Sequence, residues 1–210
     1  MARQMAVRPR ARTRDRVLSV SLALFNERGI AGVTTAEIAA GCGINEGNLY
    51  YYFQKKEQLA LALFDRFMAA LQAAAARPLG DPRDPASYAA YQRGWFDVMW
   101  EYRFCYRDGG TLRHVAPELR ARVDAVTRQG QAAVANVFGL MRAHGLLDAT
   151  DQEIAGLVAN IWIVSSYWMD FRHGAGGPVT EADLAWGLRQ VAMLYRPYLR
   201  GAGRMMITNQ

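Results

Sequence analysis

The residues best suited to chemistry lie in one short segment, residues 45–53, which reads NEGNLYYYF. Asn48 can pair two-fold with an adenine, and Glu46 can accept a hydrogen bond from a cytosine amine. Gly47 would let the backbone approach a base pair closely, and glycine is a poor choice in a helix that serves stability alone. These residue types predict contact with base edges in the major groove of DNA.

Three consecutive tyrosines continue the segment, and a single helix face cannot bury all of them. Tyr52 shares a helical spacing with Leu49 and Phe53, so we expect it to pack at least partly inward in an aromatic collar. Tyr50 and Tyr51 fall on other faces, where a hydroxyl can contact a phosphate and a ring can touch a thymine methyl. For these two residues we therefore favour contact with DNA.

Lys55 and Lys56, which come after the tyrosines, are the only two lysines of the chain. Cations at a helix N-terminus oppose the helix dipole, whereas the unpaired N–H groups there attract a phosphate. This conflict favours a phosphate contact, rather than helix stability, as the reason for the lysines. The alternative is that Glu57 pairs with them.

Capping and turn residues predict the elements that position this segment. A helix over residues 13–28 ends at a glycine, and the capping box that begins at Thr34 starts a second helix. A glycine-containing turn over residues 41–44 leads to a third helix over residues 46–53, with Asn45 as its N-cap. Three short helices with such a turn form a helix-turn-helix pattern, whose second helix of the pair enters the major groove.

The remainder of the chain also has helical rather than strand spacing. The segment PLGDPRDP, residues 78–85, separates the long helix predicted over residues 56–77 from the C-terminal part of the chain. Residues 201–210 are predicted to form a disordered tail. Between the break and the tail we predict a second helical domain over residues 86–200, with helices at 87–104, 107–114, 117–144, 150–172 and 180–199.

Positive charge is concentrated at the N-terminus. The chain of 210 residues has a formal net charge of +6, and residues 1–16 alone carry six arginines against one aspartate. We predict a flexible basic arm over residues 1–12 that anchors phosphates, and a solvated tail is the alternative. Membrane binding by this arm is disfavoured because it lacks apolar anchors.

Cysteine content and apolar runs argue against several other classes. Two cysteines cannot form a disulfide framework or a four-ligand zinc site, and no apolar leader comes after the basic N-terminus. The longest uncharged run, residues 154–169, is shorter than a membrane span and is predicted to be a buried helix. We expect a cytoplasmic protein with no cofactor, no metal and no membrane contact.

The segment from Thr13 to about Phe67 resembles the DNA-binding domain of the tetracycline-repressor (TetR) family. The resemblance is carried by LALFNERGIAGVTTAEIAAGCGINEGNLYYYFQKKEQL, a long pattern without gaps. It departs from the family at Gly41-Cys42 in the turn and at Asn45, where serine or threonine is usual, and both changes keep turn and capping chemistry. Glu46 stands where the family commonly has a basic or small residue, so the operator should differ from those of members with lysine there.

The resemblance implies an all-α homodimeric regulator, usually a repressor, that leaves a near-palindromic DNA operator when an inducer binds. The uncharged aromatic residues of the second domain favour a small hydrophobic or aromatic ligand as that inducer. A three-helix helix-turn-helix domain, residues 13–55, would be joined by the connecting helix 56–77 to the domain that binds ligand and dimerises. Residues 102–108 sit where the family's coupling helix often begins. Together with the residue chemistry, the resemblance assigns DNA contact to Arg14, Thr35, Asn45, Glu46, Gly47, Asn48, Tyr50, Tyr51, Tyr52 and Lys56.

Aromatic and methionine side chains are dense in three helices of the second domain. Such residues can line an apolar pocket for a small molecule, and the alternative is that they form plain core. The two serines among them could orient a ligand or satisfy backbone carbonyls. The predicted lining is Trp95, Phe96, Met99, Trp100, Phe104, Phe138, Met141, Trp162, Ser165, Ser166 and Met169.

The last two predicted helices have more apolar positions than one core face needs. This surplus favours an interface between two copies in a helical bundle. Dimerisation is expected to use Leu157, Ile161, Val164, Trp168, Leu184, Leu188, Val191 and Tyr195.

Two other functions compete with a ligand-responsive regulator. An enzyme is disfavoured because the three histidines lack metal-ligand spacing and no nucleophile or nucleotide-binding motif is present. Cys105, next to Arg103 and Arg107, could be an activated thiol, although a buried small hydrophobe is favoured. A DNA-binding regulator controlled by a protein partner, with no small-molecule inducer, is the second alternative.

Overall fold

A computed structural model describes residues 9–108, 119–174 and 179–208. In this part of the chain the regular elements are helical, with one isolated bridge between Leu147 and Leu199, which confirms the predicted all-α class. The α-helices are α1 (Pro9–Arg28), α2 (Thr35–Gly41), α3 (Glu46–Tyr52), α4 (Lys56–Ala76), α5 (Pro85–Glu101), α6 (Phe104–Arg107), α7 (Leu119–Ala143), α8 (Asp151–Gly174), α9 (Glu181–Tyr195) and α10 (Met205–Thr208). Short 3-10 turns occupy Arg196–Tyr198 and Gly201–Arg204.

The predicted caps of the N-terminal helices are present. Thr34 and Glu37 form the reciprocal capping box of α2, and the Asn45 side chain accepts a hydrogen bond from the Asn48 amide at the start of α3. α1 ends at Gly29, whose φ of 77° is a left-handed conformation that favours glycine. The helix predicted over residues 107–114 falls largely on residues outside the described part, and the short helix α6 ends at Arg107.

Buried apolar residues form two clusters that correspond to two halves of the chain. The first cluster joins α1 to α4 and also takes in α6, through residues such as Phe25, Leu49 and Phe104. The second joins α5 to α7, α8, α9 and the segment after α9, through residues such as Phe96 and Leu188. Because Phe104 of α6 and Val126 of α7 both belong to the first core, these two helices pack on the N-terminal half.

Both ends that the sequence predicts to be flexible contain described residues in helical structure. α1 begins at Pro9, so residues 9–12, which the charge pattern places in a flexible arm, are helical. A proline suits a first helical turn, and the arginine-rich stretch after it has no apolar stripe that would have marked a helix. The rest of the predicted arm lies outside the described residues.

Part of the predicted disordered tail is also ordered. The backbone amide of Arg200 donates to the Leu146 carbonyl at 2.9 Å, which ties this segment to the loop after α7. Gly203 and Met206 are buried, and a Cβ added at Gly203 would lie 2.3 Å from the Leu146 carbonyl oxygen. The prediction failed because these contacts join residues more than fifty positions apart, and such contacts leave no local pattern.

Two helices, α4 and α8, are long and apolar enough to cross a membrane by length and composition. Polar residues at both ends extend α8 to 24 residues, beyond the uncharged run that is too short for a span. Each helix also contributes to a core, α4 through Leu59 and Leu63 and α8 through Ile154 and Leu157. The core helix of a globular protein passes the same test, so the composition is weak evidence for a span.

Candidate functional site

The helix α3 presents one buried and one exposed face. Leu49 is fully buried and anchors α3 in the first core, while Tyr52 is half-buried, as its spacing predicts. Asn48 is exposed, and the side chains of Tyr50 and Tyr51 are 44% and 64% exposed. Large aromatic side chains seldom stay this exposed without a partner, so the face is suited to binding.

Glu46 lies in a hydrogen-bonded cluster with two other predicted DNA contacts. Its Oε1 accepts from Thr35 Oγ1 at 2.5 Å and from the Tyr50 hydroxyl at 3.0 Å. The bond from Thr35, followed by that from Tyr50, lowers the pKa of the Glu46 carboxyl. The acidic side chain is therefore satisfied between α2 and α3, which explains how an anion is tolerated on a face expected to meet phosphates.

Asn45 and Gly47, at the start of α3, differ in their contacts. The Asn45 side-chain oxygen is engaged as the helix cap, at 2.8 Å from the Asn48 amide nitrogen. Gly47 is exposed, and a Cβ added there would meet only the Asn45 side-chain oxygen, at an ordinary 3.4 Å. No contact or backbone angle in the described part of the chain requires glycine at this position.

Basic side chains approach this face from two elements. The Lys56 amine donates to the Val33 carbonyl at 2.7 Å, which fixes the start of α4 against the loop before α2. The guanidinium of Arg10 lies 5.4 Å from the ring centre of Tyr51, and that of Arg14 lies 5.0 Å from Phe53. The first turns of α1 thus place one cation beside the exposed Tyr51 and a second beside the buried Phe53.

A second set of contacts joins the N-terminal half, α1 to α4, to the rest of the described protein. The Asn26 side chain donates to the Glu101 carbonyl at 2.8 Å and accepts from the Phe104 amide at 3.0 Å. Arg107 donates to the Phe25 carbonyl, and Asp108 accepts from the Ile30 amide at 2.9 Å. These bonds hold both ends of α6 against the C-terminal end of α1.

The C-terminal half encloses a cavity of about 130 Å³. Eight of the eleven predicted ligand residues line it: Trp95, Phe96, Met99, Phe138, Met141, Trp162, Ser165 and Ser166. Sequence reasoning missed a further eleven lining residues: Leu71, Tyr88, Tyr91, Gln92, Tyr106, Val134, Val137, Ile161, Val191, Tyr195 and Met206.

Some of the missed residues carried a recognisable signal. Val134 and Val137 share the helical spacing of Phe138 and Met141, and Tyr106 belongs to the same aromatic stretch as Trp95. Others, such as Met206, had no signal because a distant segment brings them to the cavity.

Three predicted ligand residues lie elsewhere, which corrects the prediction. Phe104 is fully buried in the first core, where its ring centre is 5.7 Å from that of Phe25. The ring of Trp100 packs under the guanidinium of Arg103 at 4.4 Å. Met169 is buried in the second core without reaching the cavity. Helical spacing could not separate these residues from the lining, because a wide apolar face includes both.

The cavity lining is uncharged, and its polar groups are few. The Tyr195 hydroxyl donates to Gln92 Oε1 at 2.7 Å, and burial raises the pKa of this tyrosine, so it stays a neutral phenol. Burial likewise raises the pKa of Tyr106, whose hydroxyl makes no hydrogen bond to another described residue. The indole N–H of Trp95 is buried and has no hydrogen-bond partner among the described residues.

The predicted dimer stripe belongs to the core of the chain itself. Trp168 stacks on Phe96 with ring centres 6.1 Å apart, and Val164 is half-buried against the same core. The remaining members of the stripe are buried: Leu157, Ile161, Leu184, Leu188, Val191 and Tyr195. Three of these, Ile161, Val191 and Tyr195, also line the cavity. Periodicity correctly placed these residues on shared faces, but the face turns inward, toward α5 and α7, rather than outward.

A different face of α8 and α9 carries exposed apolar side chains. On α8, Ile163, Tyr167 and Phe171 are 58%, 65% and 68% exposed, and they recur at intervals of four residues. Met193 on α9 is also exposed, and the Phe171 ring stacks on that of Trp186 from α9. This surface, defined by Ile163, Tyr167, Phe171 and Met193, is the outer α8–α9 face.

Cys105 does not have the environment of an activated thiol. Its side chain is buried in the first core, and that burial raises the pKa of the thiol well above its usual value. The buried-hydrophobe interpretation is therefore confirmed.

Comparisons with known proteins show the same division into two halves. The family profile described as "Bacterial regulatory proteins, tetR family" matches residues 17–63, and that described as "Bacterial transcriptional repressor" matches residues 66–206. A TetR-family transcriptional regulator from Marinobacter aquaeolei VT8 is 30% identical in sequence and superposes with a TM-score of 0.82, covering 93% of this chain and 95% of that one.

Curated relatives match over shorter stretches. The repressor NicS of Pseudomonas putida is 31% identical over 91 residues, which are 43% of this chain and 42% of NicS. The class C tetracycline repressor of Escherichia coli is 27% identical over 119 residues, 55% of this chain and 52% of that protein. The chain thus spans about half the length, or less, of these relatives. With both family profiles and a full-length structural relative in agreement, the chain belongs to the TetR family of bacterial transcriptional regulators.

Proposed function

We propose that this protein is a homodimeric repressor that binds a near-palindromic operator and leaves it when a small apolar molecule fills the cavity. The observation that carries the proposal is the position of α6. One of its four residues, Tyr106, lines the cavity, and its neighbours are bonded to the DNA-binding half. A single short helix thus contacts both the ligand site and the domain that would read DNA.

The contacts of α6 suggest how occupancy of the cavity reaches the DNA-binding half. The Tyr106 ring packs edge-on against Phe67 of α4 at 5.7 Å. Arg107 and Asp108 hold the end of α1 through their bonds to Phe25 and Ile30. A ligand that displaces Tyr106 would therefore move α4 and α1 together. It would weaken operator binding only if it has higher affinity for the displaced arrangement than for the one that fits DNA.

On the DNA side, exposure and charge support a division of roles within α3. Asn48, exposed at the N-terminal end of α3, is proposed to read a base edge, and Gly47 would allow the backbone to approach it. Tyr51, Lys55 and Lys56 are proposed to hold phosphates and so set the register of the helix in the groove. Only the first of these groups would carry sequence preference.

The outer α8–α9 face is proposed to bind a second copy of the chain. Two copies related by a two-fold axis would place two α3 helices on successive major grooves, as a near-palindromic operator requires. An Ile163→Glu, Phe171→Glu double variant should be monomeric in sedimentation and should lose most of its operator affinity. Met205→Glu introduces the same charge at another exposed apolar residue, 62% exposed, and should remain dimeric. A double variant that still sediments as a dimer would place the interface elsewhere.

The proposed function is tested by selecting operators and then releasing them. Purified protein is used to enrich binding sites from genomic DNA, and the enriched sequence is labelled for fluorescence anisotropy. A compound library is then screened by thermal shift, and each stabilising compound is added to the protein–operator complex. We expect an inverted-repeat site and at least one compound that both raises the Tm and releases the DNA. Control by a protein partner instead predicts operator binding that no stabilising compound relieves.

A further inference from the structure

The cavity lining combines aromatic walls with a buried donor, the Trp95 indole N–H, that has no hydrogen-bond partner among the described residues. The indole rings of Trp95 and Trp162 both crowd Gly130 of α7, where an added Cβ would lie 3.4 Å and 2.9 Å from them. The ring of Tyr91 meets Trp95 edge-on at 6.5 Å. Glycine at position 130 thus makes room for two large flat side chains beside the cavity, and flat apolar walls suit a flat ring system.

Charge complementarity restricts the ligand further. None of the cavity-lining residues in the described part of the chain is acidic, basic or a histidine. A carboxylate or ammonium group entering this site would lose its hydration without gaining an ion pair. A neutral ligand is therefore favoured.

The Trp95 indole N–H supplies the remaining constraint. Buried donors are almost always hydrogen-bonded, and leaving one unpaired is unfavourable. Gln92, another polar residue of the lining, accepts a hydrogen bond from the Tyr195 hydroxyl. In the same chain Trp168 also has a buried N–H without a partner among the described residues, but Trp168 does not line the cavity. Trp95 is thus the one of the two whose donor a ligand could satisfy.

Resting on the proposed role of the cavity as a ligand site, we infer that the ligand is a neutral, flat, largely apolar molecule whose oxygen acceptor bonds the Trp95 indole N–H. The acceptor is a carbonyl or ether oxygen, since a charged oxygen is disfavoured by the uncharged lining. The Trp95 N–H therefore discriminates between such a molecule and a hydrocarbon of the same shape.

Three probes with one ring system test this inference: 2-acetylnaphthalene, 2-ethylnaphthalene and 2-naphthoate. They carry a neutral oxygen acceptor, no acceptor and a charged acceptor on the same bicyclic frame. Binding to the full-length protein is followed by tryptophan fluorescence and calorimetry. We expect 2-acetylnaphthalene to bind about tenfold more tightly than 2-ethylnaphthalene, and 2-naphthoate to bind most weakly.

Two matched variants locate the donor. Trp95→Phe keeps an aromatic ring but removes the N–H, so the tenfold preference for the acetyl compound should fall to about one. Trp168→Phe makes the same change at the other unpaired indole and should keep the preference. Equal loss in both variants would show that the effect is not specific to Trp95.

The remaining outcomes separate this inference from the proposed function. Equal binding of the acetyl and ethyl compounds by the unaltered protein would overturn the role of the N–H while leaving the cavity a ligand site. Tighter binding of 2-naphthoate would overturn the neutral class. Binding of none of the three, by protein with an unchanged melting curve, would overturn the flat aromatic class. The proposed function is judged separately, by operator release with library compounds.

Discussion

The exposed face of α3, proposed to meet DNA, and the cavity, proposed to bind ligand, differ in how their polar groups are hydrogen-bonded. At the surface, the side chains of Thr35, Glu46 and Tyr50 are hydrogen-bonded to one another, and the three residues come from a stretch of sixteen residues. In the cavity, the buried Trp95 N–H has no partner among the described residues, and the lining comes from segments between Leu71 and Met206. Residues close together in the sequence form the surface cluster, whereas the cavity lining is brought together only by the packing of distant segments. Substitutions can test this contrast, and the largest effect is expected at Phe104, which lies in the first core rather than in the cavity lining.

Phe104→Ala tests whether α6 belongs to the first core rather than to the cavity wall. Because Phe104 is fully buried against Phe25, its truncation should lower the free energy of unfolding by about 3–5 kcal/mol in urea denaturation. The affinity of the folded fraction for 2-acetylnaphthalene should be unchanged. A small loss of stability with a large change in probe affinity would instead show that Phe104 lines the cavity, as the aromatic pattern of the sequence predicts.

Asn48→Ala and Tyr51→Ala separate base reading from phosphate contact on α3. Asn48→Ala should cost about 1–3 kcal/mol at one base pair of each half-site and leave other positions unaffected. Tyr51→Ala should weaken all sites to a similar extent, since phosphates carry no sequence information. Anisotropy against a set of single-base operator variants measures both. An unchanged base preference in Asn48→Ala would remove this residue from base reading.

Asn26→Ala probes the junction between the two regions. The change leaves the Glu101 carbonyl and the Phe104 amide without their partner, so we expect a loss of about 1–3 kcal/mol in stability. Asn136→Ala, at an exposed position of α7, is the control and should have almost no effect. If the ligand concentration that releases half of the operator is the same in Asn26→Ala as in the unaltered protein, Asn26 does not couple ligand binding to operator release.

Glu37→Gln tests the electrostatics of the surface region and should have the smallest effect. The hydrogen bond from Arg28, with further bonds from Thr34, lowers the pKa of Glu37 from 4.5 to about 2. Because the folded protein has the lower pKa, the stabilisation by the carboxylate is complete above pH 4.5 and is lost as the pH falls toward 2. The Tm difference between the native protein and Glu37→Gln should therefore shrink over this range. Glu153→Gln removes the same kind of capping carboxylate at α8, where Thr150 bonds Glu153 and no arginine of the described residues does, and gives the comparison.

Much of the DNA-facing surface was predictable because its determinants are local. A capping box needs only Thr34 and Glu37, a helix cap only Asn45 and the amide three residues on, and a left-handed helix end only Gly29. Burial of Leu49 and exposure of Tyr51 result from spacing along one helix. The Glu46 cluster was not predictable from the pattern, since its partner Thr35 lies on another helix.

The cavity and the dimer face were predictable only in part. Helical spacing shows which residues share a face, but it does not show which neighbour covers that face. Leu188 and Trp168 are expected at an interface from their spacing, and their apolar stripe instead packs within the chain. The exposed stripe of Ile163, Tyr167 and Phe171 has the same periodicity and equal apolar character. Sequence alone could not choose between the two, because the choice depends on how α5 and α7 pack.

The segment after α9 has a consequence for the order in which the protein matures during synthesis. Its backbone pairs with the loop after α7, and Met206 completes one side of the cavity. Since the N-terminal helices leave the ribosome first, the DNA-binding fold can form while the cavity still lacks this wall. The two regions thus form one after the other: the nascent chain first gains the surface proposed to meet DNA, and it completes the lining of the proposed ligand site only when Met206 has been made.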